Sequence, residues 1–471
     1  MRVYPRTTGI PLGALLVIMA CMVAGCITGG GGGGNDNGAG NVNENDNVTT
    51  NGNDNVATLE FAGASVCQGC HPDTHADWSE TIHAGALEAL NGIGQGENAE
   101  CLPCHTVGYG AGGFVDAAAT PEFAGVQCEN CHGAAAAHAA NPGDEAVRPT
   151  VDIASAVCGA CHTDVHHPNY EQWQESGHAA MNEDVAADLL AGGASTTRCG
   201  ICHSGDVFVQ TNVWEQEVDT NGFVGMTAEE LNAVTCVVCH NPHARTDNAM
   251  DPTEGRDYQL RYEETADPEP SNVIADTEDV TRFNLCGQCH HSRGERTWEP
   301  TTRGPHRSVQ SNVYLGEMPT PEGEEPLVEN TTSFHAGVAH QCSSCHMFRR
   351  DFESEEAPTI SGHSFSIDFE ACAACHGSAA GAETTFEEFE TEVQGRLDAI
   401  AAALGEESTW QYSAEGGPPE GEGAGTQGGL SDEVRQARFL YSYIVSDGSS
   451  GAHTPEYVEA ILAKAEELLG L

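Results

Sequence analysis

Twenty-seven residues of this 471-residue chain fall into one five-residue pattern, Cys-x-x-Cys-His, repeated nine times. The copies are Cys67, Cys70 and His71; Cys101, Cys104 and His105; Cys128, Cys131 and His132; Cys158, Cys161 and His162; and Cys199, Cys202 and His203. They continue with Cys236, Cys239 and His240; Cys286, Cys289 and His290; Cys342, Cys345 and His346; and Cys372, Cys375 and His376. Each copy sets two thiols one helical turn apart with an imidazole directly after them. Such a group can hold zinc, work as a redox dithiol, or attach haem c, the thiols forming thioethers with the two vinyl groups while the imidazole binds iron. Zinc and dithiol chemistry need only the cysteine pair, yet no pair here lacks its histidine. Of the 20 cysteines only Cys21 and Cys26 lie outside the motifs, both in the N-terminal segment, so none remains for a disulfide framework. The pattern predicts nine covalently bound haem c groups, with the motif histidines as proximal ligands.

Thirteen of the 22 histidines remain for the opposite faces, where nine are needed. His83 and His178 stand out because each follows a tryptophan, Trp78 and Trp173, by five residues; His306 follows Trp298 by eight. His363 in GHSF and His453 in SSGAHTPEY come next, and His138, His243, His335 and His340 complete the distal candidates. His75, His166, His167 and His291, close behind motifs, read equally well as structural or solvent-facing. Imidazole on both sides lowers the reduction potential and closes the iron to substrate, leaving electron transfer as the chemistry. Of the five methionines beyond Cys26, Met347 directly follows His346 and cannot easily reach the opposite face of that haem.

The motifs form three sets, at about residues 60–150, 151–250 and 280–380, within a haem region of 58–380. Trp78–His83 and Trp173–His178 recur in the first two sets, as do VQCENCH and VTCVVCH, which points to duplication. The third set fits loosely. Only 27 to 56 residues separate one motif start from the next, too few for a conventional core. The expected fold is therefore mainly α with long irregular loops and little β, built around a stacked haem array. Residues 381–471 carry apolar residues at spacings of three and four and predict a C-terminal helical bundle packed on the haem region.

Residues 1–25 have the layout of a signal peptide, with two arginines in MRVYPR before the apolar run PLGALLVIMACMVAG. VAGC, ending at Cys26, resembles a bacterial lipobox, which implies a diacylated Cys26 and an outer-membrane lipoprotein on the periplasmic or cell-surface side; simple secretion to the periplasm is the alternative. The run is short for a transmembrane anchor. Residues 26–57, rich in Gly, Asn and Asp, predict a flexible tether. With 18 basic against 71 acidic residues and a net charge of -53, nucleic acid is excluded as a partner, since phosphate binding needs Lys and Arg. The acidity suits solubility or the steering of a basic redox partner.

The stretch CQGCH with its Trp and His, CLPCHTVGYG with GGF downstream, and GVQCENCHG together resemble the tetrahaem cytochrome c family of ammonia oxidisers. HQCSSCHM with GHSF, and ARFLYSYIVSDGSSGAHTPEY, resemble segments of the wider superfamily of pentahaem nitrite reductases and octahaem hydroxylamine oxidoreductases. That resemblance implies distal-ligand roles for His363 and His453. The nitrite reductases carry lysine beneath their catalytic haem in a Cys-x-x-Cys-Lys motif, but the only lysine here, Lys464, is far from any cysteine pair. No motif marks a tyrosine for the haem cross-link of the hydroxylamine enzymes. The reading is an electron carrier between a redox donor and acceptor, anchored to the membrane by lipid. The alternatives are an oxidoreductase of small nitrogen or sulfur compounds at one open-faced haem, and a subunit of an extracellular cytochrome filament.

Overall fold

The computed structural model describes residues 60–193, 196–249, 255–266, 284–292, 297–299, 304–354, 357–405 and 429–471. The expected signal peptide, Cys26 and the tether lie outside the described residues. Leu59–Leu471 forms one unit.

Short helices dominate because the motifs demand them. A Cys-x-x-Cys pair faces one side only when the backbone turns helically between its members. Cys128–His132 and Cys342–His346 are single helical turns, and Thr196–His203 encloses the fifth motif. At motifs outside longer helices the histidine amide closes the turn on the first cysteine's carbonyl, as in His71 to Cys67 at 2.9 Å and His290 to Cys286 at 3.0 Å. Among the described residues there is no strand, only isolated bridges such as Thr106 with Ala124 and His240 with Leu260. The mainly helical, loop-rich fold read from the sequence is the one observed.

Apolar packing is divided among small clusters. Cys101, Cys199, Cys239 and Cys342 each border a different one, so these clusters wall the motifs instead of forming one common core. The largest cluster belongs to three C-terminal helices, Ala379–Leu404, Asp432–Asp447 and Pro455–Leu469. Val393, Leu397 and Ile400 face Phe439, Leu440 and Tyr443 and Tyr457, Val458, Ile461 and Leu462 at helical spacing. Ser378 and Ser431 cap the first two by accepting from the amides of Gly381 and Val434. Gly448 and Gly470 end the last two at φ 71° and 70°, a left-handed conformation glycine adopts without strain. Among the described residues no helix is long and apolar enough to cross a membrane.

Candidate functional site

Of the eighteen motif cysteines, Cys70, Cys131 and Cys375 are exposed and the rest half-buried. What organises them is a set of imidazole pairs. The ring centres of His83 and His162 are 6.1 Å apart, His105 and His167 6.4 Å, His132 and His243 6.0 Å, and His178 and His290 6.1 Å. The same holds for His203 and His306 at 6.3 Å, His240 and His363 at 6.2 Å, His335 and His376 at 6.3 Å, and His346 and His453 at 6.3 Å. Every pair joins one motif histidine to one outside the motifs, and no ring is used twice. Two imidazoles bound to one metal at about 2.0 Å, each ring centre about 1.1 Å behind its nitrogen, stand about 6.2 Å apart. The interplanar angles, by contrast, run from 7° for His132 and His243 to 71° for His83 and His162. Stacking fixes orientation; a metal between two rings fixes distance and leaves rotation free. The residues therefore fit haem iron ligated on both faces.

The second nitrogen of many of these rings is held by the protein. Nδ1 of His105 faces the Ala86 carbonyl at 2.9 Å, His132 that of Thr150 at 2.6 Å, His240 that of Tyr258 at 2.8 Å, His335 that of Ala452 at 2.9 Å and His346 that of Phe365 at 3.0 Å. Ser308 Oγ holds His306 at 2.9 Å, Ser361 Oγ holds His363 at 3.0 Å, and Gln310 Oε1 faces His290 at 3.3 Å. Asp447 Oδ1 holds His453 at 2.6 Å. Assigning the proton to Nδ1 leaves the Nε2 lone pair for iron and fixes the ring's orientation. Burial pulls His162 and His178 down to about 4 and His363 to about 3, with the neighbouring His83, His290 and His240 respectively adding to the shift. These rings are thereby kept neutral, the form that binds metal.

Thiols of different motifs also meet. The thiols of Cys67 and Cys128, of Cys161 and Cys104, of Cys158 and Cys236, and of Cys286 and Cys342 are electrostatic neighbours, the second of each pair raising the pKa of the first. Cys131 senses Cys161 and Cys158, Cys239 senses Cys286, and Cys345 senses Cys372. Numbering the sites by motif order, these contacts run 1–3–4–6–7–8–9, with site 2 beside site 4.

Seven of the nine distal candidates, His83, His178, His243, His306, His335, His363 and His453, face a motif histidine. His340 faces Glu264 at 2.9 Å and, among the described residues, no imidazole. His138 sits on the helix Ala136–Ala140 with its Nδ1 buried and without a hydrogen-bond partner among the described residues. His71 makes no imidazole contact among them. His167, set level with its neighbours in the sequence, faces His105. The signal for it emerges only in three dimensions. His167 follows the first motif of set two and serves the second motif of set one, and His306 repeats that relation one set later.

The tryptophan repeat is physical. Trp78 donates from Nε1 to the Val126 carbonyl at 3.0 Å, and Val126 N donates to the His83 carbonyl at 2.9 Å. Trp173 and Val234 do the same, at 3.0 Å and at 3.1 Å to His178. Val126 and Val234 are the valines of VQCENCH and VTCVVCH, so the two sequence repeats are two halves of one clamp. In the third set Trp298 donates instead to Glu324 at 3.1 Å, which is why it fits loosely. Trp173→Phe is expected to cost about 1 kcal/mol by leaving the Val234 carbonyl without this donor, measurable as a lowered midpoint in denaturant with the fold retained.

Two family descriptions match parts of the chain. "Cytochrome c554 and c-prime" matches residues 66–133, which hold sites 1 to 3, and "Outer membrane cytochrome MtrC/MtrF-like, domains II/IV" matches residues 218–388, which hold sites 6 to 9. Cytochrome c-554 of Nitrosomonas europaea is 31% identical over 93 residues, an alignment covering 16% of this chain and 40% of that protein. Among solved structures, the outer cell wall cytochrome OcwA superposes with a TM-score of 0.55 at 19% identity, covering 87% of this chain and 99% of that one. An undecaheme cytochrome from the S-layer of Carboxydothermus ferrireducens gives 0.54 at 20% identity, over 88% of this chain and 70% of that one. At such identities the likeness is one of fold. Motifs, paired imidazoles, the two partial family matches and the fold all resemble those of multihaem c-type cytochromes, and the residues fit haem c as cofactor.

Proposed function

We propose that this protein relays electrons between a redox donor and a redox acceptor through nine covalently held haems with histidine on both faces. The observation that carries the reading is the one-to-one pairing of imidazoles at a single spacing. Haem c, when bound, supplies a one-electron ferric/ferrous couple. The eighteen cysteines hold the nine groups covalently, the nine motif histidines bind iron, and the paired histidines close the other faces. That closure keeps substrate away and favours passage of electrons over chemistry. The proximity of thiols of different sites supports a path through sites 1, 3, 4, 6, 7, 8 and 9, with site 2 beside site 4 and sites 1 and 9 at its ends.

His138 is the ligand assigned to site 1. Its helix is tied to the first motif: Ala136 N donates to the Glu60 carbonyl at 3.2 Å, and the Glu129 carboxylate binds the amides of Ala62, Gly63 and Ala135. The buried Nδ1 lacking a protein partner is the atom available to iron. One observation favours the rival reading of an oxidoreductase acting on small molecules: His71 alone among the motif histidines faces no imidazole among the described residues. Intact mass should reveal nine porphyrins per chain, and magnetic spectroscopy uniformly low-spin ferric iron. His138→Ala should then create one high-spin haem. High-spin iron already present in the unaltered protein at one haem in nine, untouched by that substitution, would instead establish an open face at site 1.

The expected setting is the cell envelope. Export precedes haem attachment, lipidation of Cys26 anchors the chain, and the tether of 26–57 holds the haem region off the lipid. The two structural relatives, a cytochrome of an outer cell wall and one of an S-layer, support an external location.

A further inference from the structure

The end of the helix Asp432–Asp447 and the turn after it, residues 446–454, reach three sites at once. The Asp447 carboxylate holds His453 Nδ1 of site 8 at 2.6 Å, and the Ala452 carbonyl holds His335 Nδ1 of site 9 at 2.9 Å. The carbonyls of Ser446 and Asp447 accept from Gln310 Nε2 at 3.2 and 3.1 Å, and the Oε1 of the same side chain faces His290 Nδ1 of site 7 at 3.3 Å. Ser333 Oγ donates to the His453 carbonyl at 3.1 Å, and Thr454 Oγ1 to those of Val313 and Tyr314 at 2.7 and 3.0 Å. Little freedom is left to the turn.

Of the Nδ1 partners named for the paired rings, Asp447 is the only charged one; the others are carbonyl, amide or hydroxyl oxygens. It is 3% exposed. Its Oδ2 takes the Ser449 hydroxyl and, at 3.4 Å, the Ser449 amide. His453 is hydrogen-bonded to it, and its charge also acts on His346 and Tyr443. A fixed carboxylate drawing on Nδ1–H makes Nε2 a stronger electron donor. A buried negative charge also favours the more positive oxidation state of a nearby iron, because little solvent screens it.

We propose that Asp447 holds site 8 at the lowest reduction potential of the third set, below sites 7 and 9 on either side, so that electrons crossing this end of the array must climb through it. The proposal rests on the two-sided ligation argued above. Only one electron moves at the ferric/ferrous couple, supplied by the donor of the relay. No proton transfer is needed, since the Nδ1–H stays between His453 and Asp447.

The test is a spectroelectrochemical titration of the holoprotein and its variants. His453→Ala should convert one low-spin haem to high-spin and thereby mark the midpoint of site 8. Asp447→Asn, nearly isosteric, should shift that midpoint upward to or above those of sites 7 and 9 while all haems remain low-spin. Ser449→Ala, which removes the hydroxyl sharing the carboxylate's charge, should shift it the opposite way. Should Asp447→Asn fold poorly, the downward shift in Ser449→Ala decides alone. An unmoved midpoint in the folded variants overturns the role of Asp447. Should His453→Ala leave every haem low-spin, the ligation itself is wrong, whatever the titration of Asp447→Asn gives.

Discussion

Serine at both Cys158 and Cys161 is expected to yield a protein with one porphyrin fewer than its parent and with its two ends cut off from one another. Site 4 is where contacts converge: Cys161 meets Cys104 of site 2, Cys158 meets Cys236 of site 6, and both lie near Cys131 of site 3. Without thioethers there, sites 1, 2 and 3 lose their described link to sites 6 to 9. Intact mass should fall by one haem, and stopped-flow reduction from a donor docked at one end should turn biphasic, with a fast partial phase and a far slower remainder. Serine at both Cys372 and Cys375 of terminal site 9 is the control, since it removes a haem without dividing the array. Equal slowing in the two double variants would show that the path does not run through site 4.

Phe439→Ala should be the most destabilising single truncation in the C-terminal bundle, at about 3–5 kcal/mol. Phe439 is 0% exposed, packs edge-on against Trp298 with ring centres 5.5 Å apart, and stacks on Tyr443 at 5.6 Å. The neighbouring rings cannot collapse into the space, because Trp298 lies outside the helices and is held by Glu324 while Tyr443 is fixed one turn on in the same helix. The loss should propagate, since the helix carrying Phe439 ends at Asp447, where the turn serving sites 7, 8 and 9 begins. Denaturant unfolding followed by circular dichroism should report the drop. Haem absorbance should reveal spin changes at those three sites ahead of the other six. Phe439→Leu, which keeps most of the volume, should recover much of the loss; a bundle indifferent to Phe439→Ala would mean that the haem array, not this cluster, holds the C-terminus in place.

What the amino-acid sequence determined by itself is what forms within a few residues. A Cys-x-x-Cys-His motif occupies one helical turn, so all nine copies, with their eighteen sulfurs and nine imidazoles, are legible without a fold. The C-terminal helices are legible for the same reason, through apolar spacing that repeats each turn and through serine and glycine at their ends. The paucity of strand followed from motifs set too close together to leave room for a sheet. Which histidine meets which depends instead on how distant segments pack together. His240 and His363 are 123 residues apart and His335 and His376 are 41 apart, and no local pattern encodes either distance. Tryptophan context singled out His83 and His178 because the same side chain that marks them in sequence clamps their backbone. His167 carried no such mark, and its pairing with His105 follows from how one set lies against the next. The role of Asp447 was equally hidden: a carboxylate six residues before a histidine has no special meaning until a tight turn brings the two together in a place that water does not reach.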